Sequence, residues 1–148
     1  MRLVLALAAL FCAKAVACPD LKGQFTCLYQ DKTTEKFTVD QTTAKTTGLV
    51  TYDYNGSVLI ADGVPRIVPD DMQIKNAKYK TWCEGEKLKT QLVGEYWRGE
   101  DYFGDITSNM EISIVDKTLT QTTSGSVKSA EMEIPINETL TCTTEMAD

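Results

Sequence analysis

Beyond its N-terminal segment, the chain alternates between apolar and polar residues with a period of two. Val50, Tyr52 and Tyr54, for example, are separated by the polar residues Thr51 and Asp53. Successive side chains of a β-strand point to opposite faces, so this alternation predicts strands that each bury one face.

The same alternation recurs along the chain and predicts about nine or ten short strands. They cover residues 25–29, 37–39, 50–54, 57–61, 79–83, 88–92, 110–114, 119–123, 130–134 and 140–144. Turn-forming residues separate many of them, at 55–56, 84–86, 116–117, 124–126 and 135–137. Residues 18–148 contain no convincing helical pattern.

Asn55-Gly56 marks the clearest hairpin, because a two-residue type I′ turn needs positive φ at both central residues. The longest break is 62–76, where Pro65 and Pro69 cannot donate to a central ladder. We expect a loop or a crossing segment there. The sequons that begin at Asn55 and Asn137 match the glycosylation pattern, and both fall at expected surface turns.

Short strands joined by tight turns predict an all-β fold. We expect a single antiparallel meander that closes into a small barrel of about 8–10 strands, because closure removes exposed sheet edges. The length suits one domain, which we assign to residues 18–148.

The first 17 residues have the pattern of a secretory signal peptide. Arg2 supplies a positive start, residues 3–11 form an apolar core, and residues 15–17 form a small-x-small cleavage site. The apolar core is too short to span a membrane. We therefore predict a secreted or periplasmic protein, with a lipid anchor on Cys18 as the alternative.

Four cysteines remain after the predicted leader, and they are expected to form two disulfides. In a closed barrel the first and last strands are neighbours, which favours Cys27–Cys142 and so Cys18–Cys83. If the chain turns back on itself after Cys18, Cys18–Cys27 and Cys83–Cys142 are equally reasonable. The sequence leaves the pairing open.

The expected mature chain is strongly acidic. Without Arg2 and Lys14 of the leader, 13 basic residues face 21 acidic ones, a net charge of −8. Such a surface repels nucleic-acid phosphates and anionic lipid headgroups. We predict no nucleic-acid partner and no membrane span.

Enzyme chemistry has little support in the sequence. The chain has no histidine, which removes Ser-His and Cys-His nucleophile systems. A carboxylate-based hydrolase or a serine-lysine dyad remains the alternative, and the available carboxylates are Asp53, Asp70, Asp71, Glu100, Asp101 and Asp105. We expect no catalytic residues, no cofactor and no metal site, since no acidic stretch has the full ligand pattern of a calcium loop.

Aromatic residues are the most promising candidates for ligand or partner binding. The candidates are Tyr52, Tyr54, Trp82, Tyr96, Trp97, Tyr102 and Phe103. Alternation places Trp82 and Trp97 on the wet face of their strands, where such rings mark binding patches. A single β-bulge would return either ring to the core instead.

The meander, the size, the predicted export and Gly23-Gln24-Phe25 at the first strand together resemble the lipocalins. That resemblance implies a non-enzymatic barrel that binds a small apolar or amphipathic ligand in its mouth. The alternative is a secreted interaction module, such as an inhibitor of an extracellular hydrolase, that binds through residues 97–103.

The size of the interior should separate these two functions. A void of several hundred Å³ open at one end favours the ligand binder. A filled interior favours the interaction module, and the expected interior residues are Phe25, Tyr52, Tyr79, Leu92, Met110, Ile112 and Met132.

Overall fold

A computed structural model of the protein describes residues 17–144. The predicted leader lies outside the described residues except for Ala17. Ten strands make up the described part: β1 (Gly23–Leu28), β2 (Thr34–Thr43), β3 (Val50–Tyr54), β4 (Ser57–Ile60), β5 (Arg66–Ile67), β6 (Ile74–Glu84), β7 (Lys87–Arg98), β8 (Asp101–Val115), β9 (Thr118–Lys128) and β10 (Glu133–Thr144).

The ten strands form one sheet in the order β4-β3-β2-β1-β10-β9-β8-β7-β6-β5. Every neighbouring pair is antiparallel, and among the ten described strands β1 beside β10 is the only hydrogen-bonded pair that is not consecutive in the chain. The sheet curls into a half-barrel, so the predicted all-β meander is confirmed. Its two edges, β4 and β5, follow one another in the chain.

Two of the predicted hairpin turns have the expected backbone. Asn55 and Gly56 have φ of 49° and 87°, and Asp116 and Lys117 have φ of 48° and 65°. These positive angles match the type I′ turn, whose twist fits the flanking strands. The break at 62–76 is mostly irregular, as expected, but it contains the short strand β5.

The turn predicted at 124–126 is wrong, because β9 runs straight through it. A Cβ at Gly125 would overlap the carbonyl oxygen of Thr107 on β8, so this glycine permits a close approach of two strands. The turn predicted at 135–137 is also wrong, and Asn137 lies in β10. Pro135 fits there because β1 pairs only with residues 141–144, which leaves this part of β10 a free edge.

The reversal between β9 and β10 occurs at residues 129–132 instead. The Ser129 hydroxyl accepts a hydrogen bond from the Met132 N–H at 3.1 Å. Met132 is 53% exposed, so its predicted place in the interior is wrong.

The middle of the half-barrel is filled by side chains from most of the strands. Phe25, Tyr52, Leu88, Ile112 and Leu119 are fully buried there. Tyr79 and Met110 pack against this cluster, as expected. These side chains occupy the centre of the half-barrel.

Two disulfides join distant parts of the chain, and they are the pair that barrel geometry favours. Cys27 on β1 is bonded to Cys142 on β10, directly across the ladder. Cys18 is bonded to Cys83 near the end of β6. The alternative pairing, Cys18–Cys27 with Cys83–Cys142, is wrong, because the register of β1 and β10 places Cys27 directly opposite Cys142.

Candidate functional site

The predicted aromatic candidates do not form one site. Tyr52 and Tyr54 lie in the core. The group of Tyr96, Trp97, Tyr102 and Phe103 lies beside the β7–β8 turn. Trp82 is in register with Lys89, at the opposite end of β7.

The two core tyrosines hold the interior together through their hydroxyls. Tyr52 donates to the carbonyl oxygen of Pro19 at 2.7 Å, and Tyr54 donates to Oε1 of Gln121 at 2.8 Å. Burial raises the pKa of Tyr52 to about 12, with a smaller contribution from the charge of Asp20. Burial likewise raises the pKa of Tyr54 well above its ordinary value. Both phenols therefore stay protonated donors near neutral pH.

A β-bulge divides the aromatic group at the β7–β8 turn between two faces of the hairpin. Tyr96 pairs with Gly104 and Trp97 pairs with Tyr102, so Phe103 is the extra residue. The Trp97 and Tyr102 rings meet edge to face at 5.8 Å, and Tyr96 and Phe103 do so at 6.0 Å.

The two tryptophans lie on the face predicted by alternation, but each carries a lysine above its ring. The ammonium of Lys75 lies 4.1 Å from the Trp97 ring centre, and that of Lys80 lies 5.3 Å from the Trp82 ring centre. Trp97 also donates from Nε1 to Glu95 at 3.0 Å. Trp82 and Trp97 are both half-buried.

A cleft of about 400 Å³ opens where β1 separates from β10, and we call it the Tyr29 cleft. It lies between the β1–β2 turn and the free-edge part of β10. Its lining is Tyr29, Gln30, Asp31, Phe37, Gln121, Glu138, Thr139 and Leu140.

The Tyr29 cleft combines an apolar floor with a polar rim. Phe37 and Leu140 are buried side chains that join the cleft to the core. The Phe37 ring packs edge to face on Tyr54 at 4.7 Å. Gln121, whose Oε1 accepts the Tyr54 hydroxyl, adds an amide side chain to the lining.

The rim of the Tyr29 cleft is acidic and held in place by the β1–β2 turn. The hydroxyl and backbone N–H of Thr33 both donate to Asp31, and they hold the pKa of that carboxyl below its usual range. The Tyr29 hydroxyl donates to Glu35 at 2.9 Å, which raises the pKa of Tyr29. Glu138 adds a second carboxylate to the lining.

Sequence reasoning missed this cleft. None of its residues belongs to the aromatic candidates, because the cleft depends on two strands that diverge after pairing. One signal was present in the pattern: Gln121 is a polar residue two positions after the inward-facing Leu119. A polar side chain on the inner face of a barrel strand often orients a ligand.

Three of the six carboxylates considered for catalysis or calcium binding accept hydrogen bonds within local turns. Asp53 accepts the N–H of Gly56, and Asp70 accepts that of Asn76. Asp71 accepts the N–H of Gln73 and of Ile74, at 2.7 and 2.6 Å, and these bonds lower its pKa. Within residues 17–144, no three acidic or sulfur ligands converge on one point.

Comparisons with protein-family models, with curated proteins and with solved structures find no match for this chain. The lipocalin resemblance therefore stays an expectation that rests on architecture. The part of the chain that the structure describes includes no helix able to cross a membrane.

Proposed function

We propose that the protein is an exported, non-enzymatic binding protein that holds a small amphipathic ligand in the Tyr29 cleft. The observation that carries the proposal is the cleft itself, which has a buried apolar floor and a short polar rim. Sites for small molecules are commonly concave, mostly apolar and about 300–1,000 Å³ in volume.

The ligand would bind at one end of the half-barrel, since the centre is filled. Phe25 and Tyr52 occupy the place where a lipocalin-like barrel would hold its ligand. The Tyr29 cleft is open on one side, so part of the ligand would remain in water. This geometry supports an amphipathic ligand over a fully apolar one.

The charge of the rim supports a ligand with a cationic or hydroxylated head. The lowered pKa of Asp31 keeps that carboxylate charged near neutral pH. Glu138 lies in the same lining. An anionic head would meet both carboxylates, and a cationic head would be attracted by them.

Two disulfides support the proposed location outside the cytosol, because such bonds persist in oxidising compartments. The sulfur of Cys18 is bonded to Cys83, so it has no free valence for a lipid thioether. We therefore favour a secreted or periplasmic protein over the lipid-anchored alternative.

Titration with two matched amphiphiles tests the proposal. We expect octyltrimethylammonium to shift the NMR signals of the residues that line the Tyr29 cleft, and octyl sulfate to bind at least about tenfold more weakly. Asp31→Asn keeps the acceptor for Thr33 but removes the negative charge, so it should reduce the difference in affinity between the two amphiphiles.

A filled cleft provides the matched control. Thr139→Trp places a ring in the lining, whereas Thr143→Trp places the same ring on an exposed position of the same strand outside it. We expect the first variant to lose binding and the second to keep it. Equal effects of the two variants, or signal shifts elsewhere, would remove the cleft as the ligand site.

A second candidate function is an interaction module, such as an inhibitor of an extracellular hydrolase. Two observations favour it: the centre of the half-barrel is filled, and Tyr102 is 51% exposed beside Trp97 at the β7–β8 turn. Tyr102→Ser should then abolish inhibition of the target hydrolase. Val115→Ser, at an exposed apolar position on the other end of β8, should leave inhibition unchanged.

A further inference from the structure

The meander leaves a seam between its two edges, β4 and the segment 63–68 that contains β5. No ladder joins the two edges, although they are consecutive in the chain. They stay close, because the Tyr79 hydroxyl on β6 donates to the carbonyl oxygen of Val58 on β4 at 3.3 Å.

The β5 edge is poorly suited to pairing with another strand. Pro65 and Pro69 have no N–H, and the N–H of Val64 donates to Asp62 at 3.0 Å. The N–H groups of Gly63 and Val68 donate to β6. Prolines at a sheet edge are a common protection against strand addition.

The β4 edge is protected only in part, because the outward carbonyl oxygens of Val58 and Ile60 accept hydrogen bonds from the Tyr79 hydroxyl and the Asp62 N–H. Tyr54 and Ser57 close a two-residue hairpin. Hydrogen-bonded and non-hydrogen-bonded pairs alternate along an antiparallel ladder, so Ser57 and Leu59 are the β4 residues whose backbone groups hydrogen-bond to β3. The N–H groups of Val58 and Ile60 consequently point away from β3. Within residues 17–144 neither of them has an acceptor, and β4 contains no proline and no charge.

An apolar groove of about 360 Å³ lies in this seam. Its lining is Ser57, Val58, Leu59, Val68, Pro69, Tyr79, Thr90 and Leu92. Three apolar side chains that are each more than half exposed lie on the two edges of the seam: Val58, Val64 and Ile67. Concentrated exposed apolar residues mark sites that are covered by another molecule.

We propose that the seam binds an extended peptide segment of another protein, which adds to β4 as a further strand. Main-chain hydrogen bonds from the N–H groups of Val58 and Ile60 to carbonyl oxygens of the peptide would give affinity. Alternate apolar side chains of the peptide would enter the groove and give specificity, as in other cases of strand addition. This site is separate from the Tyr29 cleft and does not depend on it.

Charge at the edge indicates basic residues between those apolar positions. Asp40 and Asp53 lie directly opposite each other on β2 and β3, and Asp53 lies opposite Val58 on β4. Directly opposed like charges destabilise a sheet. A lysine or arginine beside Val58 would lie about 10 Å from the Asp53 backbone, within reach of its carboxylate.

The same charges disfavour a second copy of this chain as the occupant. If β4 paired with β4 of another copy, the Asp40–Asp53 row of each would approach the other. Repulsion between these rows would oppose the contact. A basic peptide would instead be attracted by the Asp40–Asp53 row.

Fluorescence anisotropy with labelled heptapeptides tests the proposal. We expect Val-Lys-Val-Lys-Val-Lys-Val to bind, and Val-Glu-Val-Glu-Val-Glu-Val to bind at least about tenfold more weakly. Asp53→Asn keeps the acceptor for Gly56 but removes the charge, so it should reduce this preference. Equal affinity for the two peptides would overturn the charge argument and the proposal with it.

Proline variants test strand addition itself. Val58→Pro removes an outward N–H from β4 and should abolish peptide binding. Ile67→Pro removes an outward N–H from the β5 edge and should leave the affinity for the peptide within about twofold of the unsubstituted protein. Circular dichroism and a disulfide map confirm that each variant folds. Unchanged binding by a folded Val58→Pro variant would overturn the proposal.

A methylated peptide keeps the test decisive if Val58→Pro does not fold. In an added strand, the N–H groups of alternate peptide residues point toward β4 and the others point away from it. N-methylation of the residues that point toward β4 should abolish binding, and N-methylation of the others should leave binding unchanged. Equal effects of both methylation patterns would contradict strand addition. A dimer that dissociates when peptide is added would make a second copy the native occupant and would also overturn the proposal.

Discussion

The sequence predicts which side chains point into the core, but it does not predict which hydrogen bonds those side chains make. The alternation at Tyr52 and Tyr54 predicts that both rings face inward, and both are buried. Their hydroxyls find their partners, Pro19 and Gln121, far away in the chain. Such partners depend on how the sheet curls, which no local pattern of residues records.

The raised pKa values of Tyr52 and Tyr54 predict a loss of stability at alkaline pH. Their folded pKa lies above the unfolded value of about 10, so their contribution is present below pH 10 and is lost as pH rises through the folded pKa. Absorbance at 295 nm should show two of the six tyrosines ionising only as the protein unfolds. Six tyrosines that ionise reversibly near pH 10 would contradict this.

Whole strands were predictable where the signal is local. The hairpins at Asn55-Gly56 and Asp116-Lys117 follow from residues that tolerate positive φ. The turns expected at 124–126 and 135–137 are wrong because Gly125 permits the close approach of β8 and β9, and Pro135 lies where β10 has a free edge. A glycine or a proline in the sequence can therefore mark a close strand contact or a free sheet edge instead of a turn.

Two glycine substitutions separate these roles. Gly56→Ala introduces strain at a positive φ in open space, and we expect it to lower the free energy of unfolding by about 1 kcal/mol. Gly125→Ala also forces a Cβ onto the Thr107 carbonyl, so we expect a loss of about 3 kcal/mol.

Urea unfolding of both variants measures the difference. The comparison is matched, because each adds one methyl group to a glycine of the same sheet. A Gly125→Ala variant as stable as Gly56→Ala would mean that β8 and β9 do not approach closely at this point.

The whole molecule combines predictable architecture with a site that was not predictable. In a barrel the first and last strands are neighbours, which favours the disulfides Cys27–Cys142 and Cys18–Cys83, and the structure contains both. The Tyr29 cleft forms because β1 leaves β10 after residue 28. The length over which two strands pair is set by the twist of the full sheet.

The two disulfides should contribute unequally to stability. They close loops with sequence separations of 115 and 65, for which chain entropy gives similar contributions of about 4–5 kcal/mol. Cys27 and Cys142 are also fully buried in the core, whereas Cys18 and Cys83 are half-buried.

Double alanine variants measure this difference by urea unfolding. We expect loss of Cys27–Cys142 to cost more than loss of Cys18–Cys83, because it also leaves a cavity in the core. The reverse order would contradict the assignment of β1 and β10 to the centre of the fold.

Native mass spectrometry of the protein, purified from the cells that make it, tests the proposed function most directly. We predict a folded chain with two disulfides that carries one small molecule, and a Thr139→Trp variant from the same cells that carries none. Protein of unliganded mass in every preparation, with an intact fold, would contradict the proposal that the Tyr29 cleft holds a ligand.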